Sequence, residues 1–238
     1  MAIQFRELKE LDYKTIQHIR TDTAFARLSS LMAAACSTTT SSAPKADLDL
    51  HLGFTLPTRL REDRGRAMIE RDFHIGCLAK RASDGSVRQL SYSVLIGEDA
   101  TPSRKVARKF HFDFEPISGR NSAEAKPSYH FQICGELSAH HRTAGYEEHH
   151  IGHLLPQWSQ PRIPAAPMSL TLLLNWLLME FGSDPIVIEA RNSPHWQGLV
   201  RKAERAILKP YFDDGYEFFS KRANEDKSFY SRHLYEEN

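Results

Sequence analysis

Phe110-His111-Phe112-Asp113-Phe114-Glu115 decides the fold. Strand side chains alternate between two faces, so this run puts three phenylalanines on one side and His111, Asp113 and Glu115 on the other. A helix would scatter the same residues round its axis. The period of two recurs on both sides of the segment. Upstream, Phe73, Ile75, Cys77 and Ala79 alternate, as do Leu90, Tyr92, Val94 and Ile96, with Asp84-Gly85 between them as the dipeptide of a tight hairpin turn. Downstream, Tyr129, Phe131 and Ile133 repeat the pattern, with His130 and Gln132 on the opposite face. Successive strands of this kind predict an antiparallel sheet of about four or more strands within residues 70–136, buried on one face.

Helices are expected at both ends. Phe5, Leu8, Leu11, Ile16, Ile19, Phe25, Leu28 and Met32 recur at helical steps, with an interruption near Thr21-Asp22-Thr23. Ser169 to Phe181 is apolar nearly all round and ends at Gly182, a residue suited to a helix C-terminus. Ser193-Pro194 then supplies an N-cap and a first-turn proline for a helix through Trp196, Leu199, Val200, Ala203 and Ile207, with a stop expected at Pro210. The chain therefore reads as a single α+β domain. It comprises a helical segment at 1–36, a Ser/Thr-rich linker at 37–47, the sheet region at 48–136, a His/Pro-rich loop at 137–167 and C-terminal helices at 168–238.

Composition narrows the function. The 238 residues carry a formal net charge of +1, so recognition of a charged partner has to come from a local patch. Three scattered cysteines, Cys36, Cys77 and Cys134, form no C-x-x-C pair, which argues against a zinc knuckle or a disulfide framework and for a reducing, cytoplasmic setting. The first residues mix charge with no apolar run, so no secretory signal is expected. The most apolar stretch, Ala165 to Phe181, falls short of the roughly 20 apolar residues of a membrane span. Signatures of P-loop nucleotide hydrolysis, dinucleotide binding and serine esterases are absent from the sequence.

Chemistry is expected on the polar side of the central strands. If the strands carrying His111 and His130 pair, then His111, Asp113, Glu115, His130 and Gln132 converge on one patch. Strands lie about 4.8 Å apart, so such side chains can share a metal or a phosphate. Imidazole with carboxylate suits zinc or manganese, and carboxylates suit magnesium, with His111, Asp113 and His130 as ligands. Lys105 and Lys109 fall on the face of His111, and Arg142 and Arg162 could add charge from the loop. These residues point to a metal-dependent phosphodiesterase acting on RNA or single-stranded DNA. The competing expectation is a merely solvated sheet face in a non-catalytic, protein-binding subunit that meets its partner through the Leu- and Trp-rich C-terminal helices. A second histidine cluster, His140-His141 and His149-His150 with His153, lacks the H-E-x-x-H order of zinc proteases.

Overall fold

The apolar residues that alternate along the chain line up on one sheet face, which is buried except toward Ile133, 43% exposed. The computed structural model describes residues 3–23, 25, 47–58, 67–97, 106–114, 128–133, 162–182 and 184–221. Six strands form one sheet in sequence order, each pair antiparallel: β1 (Leu48–Thr58), β2 (Ile69–Arg81), β3 (Val87–Gly97), β4 (Val106–Phe114), β5 (Tyr129–Ile133) and β6 (Arg162–Pro164). The α+β reading with terminal helices is thus correct, and the sheet is larger than the minimum expected. β1 shows the clearest alternation in the protein, with Leu48, Leu50, Leu52, Phe54 and Leu56 all buried. β6 arises where the sequence suggests only extended, proline-rich backbone, because β5 supplies its hydrogen-bonding partner.

Between β2 and β3 the hairpin turns at Asp84-Gly85 as expected. Gly85 has φ of 90°, a conformation that costs a side-chain-bearing residue about 1 kcal/mol or more. The Asp84 carboxylate accepts from the backbone N–H of Ser86, closing the turn.

Among the described residues, five α-helices pack with the sheet's apolar face. These are α1 (Phe5–Thr21), α2 (Leu170–Phe181), α3 (Pro185–Asn192), α4 (Pro194–Ala203) and α5 (Lys209–Lys221). Caps at their starts match the sequence signals. Ser169, Asp184 and Ser193 each accept from a first-turn N–H, and Pro185 and Pro194 open their helices. Pro210, however, does not end the last helix. A π-helical turn at Glu204–Leu208 joins α4 to α5, with the Lys209 N–H reaching the Glu204 carbonyl. The wider turn immediately before Pro210 relieves the clash and the missing bond that a proline imposes on regular α-helix.

A polar latch lies inside the helix–sheet interface. Asp12 of α1 is fully buried; its carboxylate accepts from the Tyr92 hydroxyl of β3 at 2.6 Å and from the Leu170 N–H at the start of α2 at 3.0 Å. One turn on, the Thr15 and Thr171 hydroxyls meet at 2.6 Å. Burial drives the Asp12 pKa up to about 7, against the lowering effect of those two hydrogen bonds. The same burial, reinforced by Asp12, pushes the neighbouring Cys77 thiol well above its ordinary range. Cys77 therefore behaves as core and not as a nucleophile.

Candidate functional site

The polar face of β4 and β5 assembles as period and pairing require. Register places Asp113 directly opposite His130 and His111 directly opposite Gln132. The His111 Nδ1–H donates to Asp113 Oδ2 at 2.6 Å, and His130 Nε2 stands 3.6 Å from the same oxygen. One carboxylate oxygen thus sits between two imidazoles. Burial alone would raise the Asp113 pKa. The hydrogen bond and charge of His111, then Ser91 on β3 and His130, more than reverse this, and the carboxyl lies below its ordinary value.

Lys109 stands on this face, opposite Leu95. Arg162 pairs through its backbone with Gln132, and its side chain lies outside the described residues. Glu115, Lys105 and Arg142 also lie outside them, as do the histidines of 140–153, Cys36, Cys134 and most of the arginine cluster at 59–66. Arg71, at the edge of that cluster, is described. It is buried, and its guanidinium donates to the Gly97 carbonyl, which makes it part of the fold's interior.

Two features depart from the sequence reading. First, the β4–β5 part of the face is not open to solvent. His130 is 2% exposed, Gln132 3% and Lys109 6%, and the His111 Nε2 is itself buried. Polar residues at such depth have to be organised, because a buried polar group without partners costs about 1–3 kcal/mol. Second, the closest grouping of three possible metal-ligand residues found among the described residues lies elsewhere. The 2.6 Å separation of His111 and Asp113 is a hydrogen-bond distance. Among the described residues, the His/Cys/Asp/Glu group whose ligand atoms all fall within 4.8 Å of one another is His18, Asp22 and His195.

Strand β1 adds residues that reasoning from β4 and β5 missed. Asp49 and His51 share the polar face and pair with each other, His51 Nε2 lying 3.1 Å from Asp49 Oδ1. His74 of β2 joins them there. The alternation of Leu48 to Leu56 was the available signal, since the residues between those leucines must face the other way. His51 and His111 stand in one cross-strand row, three strands apart, so about 14 Å separates them. They form two centres on one face. Among the described residues, no helix is long and apolar enough to cross a membrane. No protein-family model matches this chain, and no curated protein or solved structure does either.

Proposed function

We propose that the His111–Asp113–His130 cluster is the working centre of a phosphodiesterase that acts on RNA or single-stranded DNA. The observation that carries this reading is the carboxylate shared by two imidazoles at 2.6 and 3.6 Å. Asp113 fixes the His111 tautomer, leaving Nε2 as the nitrogen that takes a proton from an attacking hydroxyl or water, and its charge stabilises the resulting imidazolium. His130 serves as the second proton-transfer group, and Gln132 beside His111 orients the phosphate. Lys109 supplies positive charge on the same face. A divalent ion, Mg²⁺, Mn²⁺ or Zn²⁺, would enter with the substrate phosphates and stabilise their charge. Because His111 Nε2 is buried, the reading requires this face to open when nucleic acid binds.

The test is cleavage of labelled RNA and single-stranded DNA by purified protein in Mg²⁺, Mn²⁺, Zn²⁺ or chelator, beside Asp113→Asn. The variant keeps the side-chain shape and should lose about 10²–10⁴-fold in rate, with an unchanged circular dichroism spectrum. Equal cleavage by the variant, or none by either protein, refutes the proposal. Cleavage that persists in chelator would assign the chemistry to proton transfer alone.

A second reading, a protein-binding subunit of a larger assembly, has its own observation. On α5, Phe212, Tyr216 and Phe219 are 60%, 77% and 62% exposed. Their spacing of four and three residues puts them on one stripe. It borders the helix side that Tyr211, Gly215 and Phe218 bury in the domain. A stripe of largely exposed aromatic side chains favours a partner that covers it.

A further inference from the structure

The helix layer on the far side of the sheet holds a second constellation, unconnected with the His111–Asp113–His130 cluster. His18 and Asp22 lie one turn apart at the end of α1, and His195 is the second residue of α4. Each offers a ligand atom within 4.8 Å of the other two. His18 is 4% exposed, yet its Nε2, 3.7 Å from Asp22 Oδ2, has no hydrogen-bond partner. A buried polar nitrogen in that state is costly unless something else satisfies it.

Its surroundings are built to hold an imidazole still. His18 stacks on Trp196 with ring centroids 5.8 Å apart, meets Phe25 edge-on at 5.2 Å, and lies 4.5 Å from the His195 ring. Trp196 is anchored in turn by its indole N–H to Asn175. The Asp22 Oδ1 accepts from the Phe25 N–H, which orients Oδ2 toward His18. Ser193 and Pro194 fix the backbone just before His195. Outer contacts of this kind are what position metal ligands.

We infer that His18, Asp22 and His195 bind one divalent transition-metal ion of the zinc type, which clips the end of α1 to the start of α4 and keeps one coordination position open. Two imidazoles and one carboxylate suit zinc and its neighbours in the first transition row, and exclude magnesium and calcium, which take oxygen donors. A tetrahedral zinc ion sets neighbouring ligand atoms about 3.3 Å apart, so the 3.7 Å between His18 Nε2 and Asp22 Oδ2 closes with a small side-chain movement. The fourth position falls beside His195, the exposed member of the group, and is filled by water or an outside donor.

The experiment titrates the chelator-treated full chain with Co²⁺, read by its visible d–d absorption, and with Zn²⁺, read by thermal shift. The expected result is one tight equivalent that raises Tm. His195→Ala, at an exposed position, should weaken that equivalent at least about tenfold and abolish its Tm rise. His18→Gln should do the same if it folds. Because the chain carries other histidines, a triple variant with His149→Ala, His150→Ala and His153→Ala is run alongside and should bind as the parent does. Binding unchanged in His195→Ala, binding lost only in the triple variant, or no binding at all overturns the assignment.

Discussion

Replacing Asp12 with asparagine should make the protein more stable at pH 8 while changing little in acid. In the folded chain the Asp12 carboxyl titrates near 7, against an ordinary value of 3.8. Each tenfold change in proton affinity is worth about 1.4 kcal/mol. The stabilisation present below about pH 3, where both states hold the proton, is therefore lost by about pH 8 and amounts to about 4 kcal/mol. Sign follows from proton counts: between these limits the folded state keeps its proton while the unfolded chain has released it, so stability falls as pH rises. Asparagine keeps a carbonyl to accept from the Leu170 N–H and an amide to face the Tyr92 hydroxyl, and it does not ionise. Urea unfolding followed by circular dichroism at pH 5, 6, 7 and 8 would measure the difference directly. Asp12→Asn should gain on the parent by about 3 kcal/mol between pH 5 and pH 8. Parallel pH profiles for the two proteins would show that the buried acid does not titrate as its surroundings dictate.

Two further outcomes follow from packing. A Cβ on Gly182 would lie 2.1 Å from Val187 Cγ1 and 2.5 Å from the Leu178 carbonyl oxygen, so Gly182→Ala should cost about 1–3 kcal/mol and lower Tm by roughly 2–12 °C; an unchanged melting curve would refute the packing. Paired Phe212→Ser and Tyr216→Ser substitutions should leave stability within about 0.5 kcal/mol, yet remove whatever protein co-purifies with the tagged parent chain. A copurifying partner retained by that variant would count against the α5 stripe as its docking surface.

Much of the framework was readable because strands and helices announce themselves by period. The phenylalanines of β4 took one side by spacing alone, and the nearly all-apolar run of α2 marked a buried helix. Convergence of His111, Asp113, His130 and Gln132 followed from the same rule once neighbouring strands pair. Depth was not readable. Alternation tells which side a residue takes, and His130 at 2% exposure differs from a solvated histidine only through what packs over it. Gly182 shows a related limit. The sequence suggested a helix terminus, which the structure has; its φ is −93°, however, and the missing side chain serves a close approach of α3. His18 and Asp22 carry a legible one-turn spacing, but His195 comes from the far end of the chain and joins them only through helix packing. Asp12 was a visible anomaly, a carboxylate on the apolar stripe between Leu8, Leu11 and Ile16.

The six strands shorten toward one edge: 11, 13, 11, 9, 5 and 3 residues from β1 to β6. Among the described residues, each pairs as a strand only with its neighbours in sequence, so the ladder grows shorter step by step in one direction. Breathing of such a sheet is directional, because the cheapest local opening is the one that breaks the fewest ladder bonds. Here it parts β6 from β5 first and then β5 from β4, leaving the long hairpins intact. His130 and Gln132 ride on β5. An excursion that uncovers them need not disturb the core beneath β1, β2 and β3, so the face that carries the acid and its two histidines lies on the part of the sheet best able to unzip.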